Sequence, residues 1–299
     1  MKTWFWILGW SLSILTITGN GFIIFLVWSK RQLRTKTNAL IVSLAVADLC
    51  VGISAVPFLY VCKKTTVCNH LHFLSAYGVR IFFAYASVTN LCSLVLDRYI
   101  AVLKPLKYLT FMSRRRVIQM ILVSWAIPFT LCVGIVFKSA TVLKVLTCLI
   151  LFLEVFPSLM LIFCFVSMLQ VVFKHNRATR FLSKQLRFNH QVFFKTQEKS
   201  AMIMMGIVIS LFLVCYAIFL RCTLIYLFNI PSSCGDTDYK IPILVCNSAI
   251  NPLAYYFFKR DINKEVKRRI CCATSTQRNR ISILFKENSF SLAIVKRSS

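Results

Sequence analysis

Val95-Leu96-Asp97-Arg98-Tyr99-Ile100-Ala101-Val102-Leu103-Lys104-Pro105-Leu106-Lys107-Tyr108 puts an acid, a base and a phenol directly after a long apolar run. Upstream, from about Phe73 to Leu96, the only formal charge is Arg80, so this segment has the length and composition to cross a bilayer. Asp97 and Arg98 therefore stand at its exit. Ile100 to Leu103 carry the helix one more turn, and Pro105, which lacks a backbone donor, is expected to end it. An acid and a base side by side at a membrane surface suit a switch that is held until released.

The whole chain has the same character. It has 299 residues, is 58% hydrophobic and carries 36 basic against 9 acidic residues, a net charge of +27. Its mean hydropathy is +0.71, which is too apolar for a water-soluble domain. The basic residues gather in alternate loops: Lys30, Arg31, Arg34 and Lys36; then Lys104, Lys107 and Arg114 to Arg116; then seven between Lys174 and Lys199. By the positive-inside rule these loops and the C-terminus face the cytoplasm and the N-terminus faces outward. Membrane spans separate the basic clusters, so anionic lipid of the inner leaflet is the expected partner of this charge, and nucleic acid is not. Most of the thirteen cysteines lie within apolar runs and act as small hydrophobes.

Seven spans are expected, at about Trp4–Val27, Asn38–Val61, Phe73–Leu96, Val117–Phe137, Leu146–Phe173, Ala201–Phe228 and Ile241–Phe258. This is an all-α, seven-transmembrane helix bundle over residues 1–258. Residues 259–272 read as a short amphipathic helix on the inner surface, and 273–299 as a polar, disordered tail. Cys271 and Cys272 follow that helix and are candidates for palmitoylation. Polar residues stranded at mid-depth, Asn20, Asp48, Ser87, Asn247, Ser248 and Asn251, are expected to satisfy one another inside the bundle.

The stretch Asp97-Arg98-Tyr99 followed by Val102 and Pro105 resembles the end of the third helix and the second inner loop of rhodopsin-like G protein-coupled receptors. Asn20, Asp48 and Asn251-Pro252-Leu253-Ala254-Tyr255 match that family's first, second and seventh helix signatures. The resemblance covers about Trp4 to Cys272. It implies a plasma-membrane receptor, not an enzyme, that binds a small extracellular ligand and activates a heterotrimeric G protein through outward movement of the sixth helix. Arg98 and Glu198 are implied as an ionic latch, with Asp97, Tyr99, Pro105 and Leu106 completing the coupling surface. The mid-depth residues are implied as a sodium pocket with Asp48 as the charged ligand, and no other cofactor is expected. Phe212, Tyr216, Pro252 and Tyr255 occupy the switch positions.

The chain departs from the family's pattern at several points. Cys215-Tyr216-Ala217-Ile218 stands where Cys-Trp-x-Pro is usual, and Phe165 stands where a tyrosine is common. A constitutive or non-signalling member is therefore the alternative reading, ahead of a transporter. Arg80 occupies the place of the aspartate that pairs the ammonium in amine receptors, so an anionic ligand is expected there. Glu154 and Arg221 are the other charged pocket candidates, with an internal Arg80–Glu154 pair as the competing reading. Phe73 occupies the family's usual disulfide position, and Cys68 with Cys148 is a candidate replacement, with Cys62 and Cys234 as competing partners.

Overall fold

The computed structural model describes residues 3–64, 70–136, 140–183, 206–218, 220–221, 224–225, 228, 237–259 and 261–269. Its main helices are α1 (Thr3–Ser29), α2 (Lys36–Lys64), α3 (His70–Leu103), α4 (Pro105–Phe111), α5 (Arg114–Val136), α6 (Ala140–Ser183), α7 (Gly206–Ile218), α8 (Thr237–Phe258) and α9 (Asp261–Arg269). Among the described residues α1, α2, α3, α5 and α6 are each long and apolar enough to cross a membrane, α8 and α9 pass the same test together as a bent pair, α7 is a shorter apolar helix, and there is no strand. Lipid cannot hydrogen-bond to exposed backbone, so every crossing segment closes its own hydrogen bonds as helix.

The expected spans coincide with the observed helices at their centres and differ at their ends. α3 stops at Leu103 as Pro105 dictates, but Pro105 also starts α4, a seven-residue helix that the hydropathy pattern did not reveal. Proline is at home at a first helical position, where its missing N–H has no intrahelical partner to lose. α6 runs from Ala140 to Ser183 rather than from Leu146 to Phe173. Hydropathy marks only the part of a helix that lies in lipid, and this one continues beyond it.

α3 lies at the middle of the bundle, touching α2, α5 and α6, while α1 packs between α2 and α8. Helix association in lipid draws little on the hydrophobic effect and depends on close packing and polar contacts. Glycines supply the closeness. A Cβ on Gly19 would stand 3.1 Å from Pro252, one on Gly9 3.0 Å from a Val56 methyl, and one on Gly52 3.1 Å from Thr16 and Ile17. The outward surface is apolar, with Ile14, Phe25, Leu122, Phe129, Phe152 and Phe163 all exposed to the place lipid would occupy.

α9 turns 84° from α8 and so lies across the bundle axis. It buries Ile262 and Val266, one turn apart, and exposes Lys264, Lys267 and Arg268. Glu265 bonds to Lys30 at 3.3 Å, and Arg269 covers the Phe25 ring at 4.9 Å, so α9 is tied to the inner end of α1.

Candidate functional site

Two polar constellations lie along α3, one at mid-depth and one at its inner end. At mid-depth Asp48 is fully buried; Ser87 donates to its Oδ1 at 2.6 Å and Asn251 Nδ2 to its Oδ2 at 2.7 Å. The Ser248 side chain also reaches this carboxylate. Asn20 Nδ2 donates to the carbonyls of Thr16 at 3.0 Å and Ser248 at 3.2 Å, joining α1 to α8. Asn247 is buried on the same helix. Of the six residues read from the sequence as one network, Ser87, Ser248 and Asn251 converge on Asp48, Asn20 reaches the same helix at the Ser248 carbonyl, and Asn247 is buried nearby in sequence.

Asn20 Oδ1 and Tyr255 Oη are buried without a hydrogen-bond partner among the described residues. Carboxylate, hydroxyl and amide oxygens form a donor set that suits a small hard cation. The residues present therefore fit sodium.

Sequence reasoning missed a second polar seam outward of the latch. Ser43 donates to Asn90 Oδ1 at 2.7 Å, and Trp125 Nε1 donates to Ser43 at 3.0 Å, linking α2, α3 and α5. Thr89 donates to the Ser124 carbonyl at 2.6 Å, and Ser93 and Ser124 share a hydroxyl contact of 2.7 Å. Asn90 sits three residues from Ser87 on an apolar helix, and an amide at that depth was itself the available signal.

At the inner end Asp97 is fully buried and Arg98 only partly so. Arg98 donates to Asp97 Oδ2 at 2.9 Å and to Thr37 Oγ1. Thr37 donates to Asp97 Oδ2 at 3.2 Å, and Tyr108 of α4 donates to Oδ1 at 2.8 Å. Burial holds the Tyr108 phenol above its ordinary range, with the neighbouring Asp97 charge adding to the rise. The Asp97–Arg98 pair is thus clasped by Thr37 and Tyr108. Glu198, the latch partner implied by resemblance, lies outside the described residues.

Lys259, at the bend between α8 and α9, donates to Asn38 Oδ1. Burial, reinforced by the Arg98 charge, lowers its ammonium to about 7. This second cation at the inner mouth went unnoticed in the sequence, where Lys259 looked like one more residue of a basic helix.

The switch positions are packed together. Phe212 and Tyr216 of α7 stack with centroids 4.2 Å apart, and Tyr255 is fully buried. Phe165 lies against α7 at Gly206, where an added Cβ would come within 2.8 Å of its ring. Tyr99 is half-buried, its ring 6.1 Å from that of Phe163. Nothing is described of the Pro105 and Leu106 side chains.

Among the pocket candidates, Glu154 is buried and accepts from the Tyr85 hydroxyl at 3.3 Å. Arg80 is partly exposed, whereas Arg221 is exposed. Cys148, one of the disulfide candidates, is exposed with a free thiol. Cys68, like Cys62, Cys234, Cys271 and Cys272, lies outside the described residues or has an undescribed side chain.

The family model for the 7 transmembrane receptor (rhodopsin family) matches residues 19–255, a range that includes both constellations. The chain belongs to that family. This receptor is 29% identical over 269 residues to trace amine-associated receptor 2 of Rattus norvegicus, covering 82% of this chain and 78% of that protein. It is 27% identical over 311 residues to octopamine receptor beta-1R of Drosophila melanogaster, covering 85% of this chain and 59% of that one. A probable G-protein coupled receptor No9 of Amphibalanus amphitrite is 36% identical over 123 residues, 40% of this receptor and 26% of that chain. Squid rhodopsin has the same fold, with a TM-score of 0.75 and 17% identity over 90% of this receptor and 85% of that chain. The family is one of membrane receptors, not of enzymes.

Proposed function

We propose that the chain is a plasma-membrane receptor, N-terminus outside and C-terminus in the cytoplasm, that activates a heterotrimeric G protein when a small extracellular ligand binds in its outer half. The observation that carries this reading is the Asp97–Arg98 pair, with Asp97 fully buried and clasped from α2 and α4. A guanidinium folded back onto its neighbour is withheld from the inner cavity. Release of Arg98 would open that cavity to the G protein, and outward movement of α7 would widen it. Glu198, at the foot of the sixth span, would add a second hold on Arg98.

The route from outside to inside runs through Tyr216 and Phe212. Tyr216 stands where the family usually has a tryptophan and Ile218 where it has a proline, so the swing of α7 would turn on the Tyr216–Phe212 stack without a proline kink. Arg80 in the outer half of α3 supports a ligand with an acidic group. The relatives are named as receptors for octopamine and trace amines, which supports a ligand of small-molecule size.

Asp48, with Ser87, Asn247, Ser248, Asn251 and Asn20 around it, would hold the sodium ion. Bound there, sodium would neutralise the carboxylate and favour the closed packing. Without it Ser87, Ser248 and Asn251 still donate to Asp48 and tie α2, α3 and α8 together. On the inner surface Lys264, Lys267 and Arg268 support contact with anionic lipid, and palmitoylation of Cys271 and Cys272 would add an acyl anchor. Second-messenger output in cells expressing wild type and Arg98→Ala at matched surface levels tests the function. Equal basal and stimulated output in the two would refute it.

A further inference from the structure

Glu265 of α9 gathers three cations from two helices. Lys30 Nζ, at the end of α1, stands 3.3 Å from its Oε1, Arg269 Nε 3.3 Å from the same oxygen, and Arg268 Nη1 3.7 Å from Oε2. One carboxylate against three cations leaves two positive charges in excess at one point. The carboxylate is covered, at 12% exposure, while Lys30 and Arg268 remain 35% and 66% exposed. Cations held this close repel one another, and Glu265 offsets only part of that repulsion. Arg34 adds a fourth cation at the same end of α1, its guanidinium donating to the Trp28 carbonyl. The Asp97–Arg98 clasp and the Asp48 cluster are built from other residues.

This notch faces the bilayer. Arg269 lies over the Phe25 ring at 4.9 Å, and Phe25 is exposed on the outward surface of α1. Trp28, one turn further along, is exposed as well, and indole rings favour the depth of the lipid headgroups. The cations therefore stand beside headgroups, their stems reaching from apolar surface to the wet interface. A phosphodiester or a carboxylate brings a single negative charge to such a place. A phosphomonoester brings about −1.5 to −2 and three acceptor oxygens, which matches both the excess charge around Glu265 and the forked donors of Arg268 and Arg269.

We propose that the notch between α1 and α9 binds an inner-leaflet lipid whose headgroup carries phosphomonoesters, as phosphoinositides do, with Lys30, Arg268 and Arg269 as its cations. The proposal deepens the reading of α9 as a helix against anionic lipid and rests on the orientation given there. Glu265 orders the three cations and ties α9 to α1. The phosphate enters from the open side of the cluster, meets Arg268 first as its most exposed member, and shares Lys30 and Arg269 with Glu265. One lipid thus spans the end of α1 and α9 and braces the 84° turn after α8. Because Glu265 repels the phosphate while it orders the cations, its charge sets a limit on the affinity.

The test titrates the purified full chain in detergent micelles with a fluorescent phosphatidylinositol bisphosphate and reads anisotropy, with unlabelled compounds as competitors. Unlabelled phosphatidylinositol bisphosphate should compete at least tenfold better than phosphatidylserine, than phosphatidylinositol, which has no phosphomonoester, and than free inositol trisphosphate, which has no acyl chains. Lys30→Gln with Arg269→Gln should weaken binding at least tenfold, whereas Arg114→Gln with Arg115→Gln, which removes equal charge elsewhere on the same face, should change it less than twofold. Arg268→Gln, at the most exposed of the three cations, should weaken it at least threefold, and this variant decides the matter if the double variant melts early. Glu265→Gln should strengthen binding at least twofold, the opposite of what a purely structural tie predicts. Equal competition by phosphatidylserine, phosphatidylinositol or inositol trisphosphate would overturn the proposal. So would an equal loss in the Arg114 and Arg115 variant, an unchanged Arg268→Gln, or weaker binding by Glu265→Gln. Binding is read without second-messenger output, so its failure and a failure of the receptor function, read from Arg98→Ala, are separate results.

Discussion

Replacing Asp97 with asparagine keeps the size of the side chain and removes its charge. Thr37 and Tyr108 donate to different carboxylate oxygens, so the single amide oxygen keeps only one of those bonds, and the other is lost together with the ionic part of the 2.9 Å bond from Arg98. A fully exposed ion pair contributes about 0.2–1 kcal/mol and a hydrogen bond to a charged group about 1.5–3 kcal/mol. Here the carboxylate is fully buried while the guanidinium is 28% exposed, so a value of about 2 kcal/mol follows. At 1.36 kcal/mol per decade, that shifts the equilibrium between clasped and released Arg98 by roughly thirtyfold. A receptor with about one molecule in a hundred released would then have about one in four released. Basal second-messenger output of Asp97→Asn, divided by surface expression, should rise at least tenfold. Output within twofold of wild type, with surface expression intact, would refute the clasp as the holding element.

Three further outcomes follow from the same geometry. Gly19→Ala places a methyl 3.1 Å from the rigid Pro252 ring and should lower the melting temperature in detergent by an overpacking cost of about 1–3 kcal/mol. Gly21→Ala, whose methyl would meet Leu49 at an ordinary 3.7 Å, should leave it nearly unchanged; equal effects would contradict the packing described. Lys259 has its folded-state value lowered to about 7 while the unfolded chain keeps 10.5, so the folded state binds fewer protons between those values. Stability should therefore fall as pH is lowered from about 10 to about 7 and level off below that. Lys259→Met should be the more stable protein at pH 7, with a flatter profile across that window, as read by thermal unfolding at a series of pH values. Finally, sodium chloride should raise the melting temperature relative to choline chloride in wild type but not in Asp48→Asn; an equal rise in both would rule out Asp48 as the sodium ligand.

The spans were legible because lipid imposes one requirement on every residue of a crossing helix, and a run of apolar side chains is its direct trace. Asn20, Asp48 and Asn251 could be read for the same reason in reverse, since a polar group inside such a run needs a partner. What the sequence did not disclose was which partner. Thr37 and Tyr108 lie sixty and eleven residues from Asp97, and nothing in their local sequence marks them as its hydrogen-bond donors. α4 was hidden because its residues are neither long enough nor apolar enough to stand out. Lys259 was hidden because its charge matched its neighbours, and only the 84° turn between α8 and α9 separates it from them.

The Phe165 ring resting on the bare backbone of Gly206 joins α6 and α7 without a directional bond. A hydroxyl in that place would favour one separation of the two helices over others, whereas dispersion between a flat ring and a glycine weakens smoothly with distance. The two inner ends can therefore slide before they part, and the ease of parting depends on how well acyl chains fill the gap.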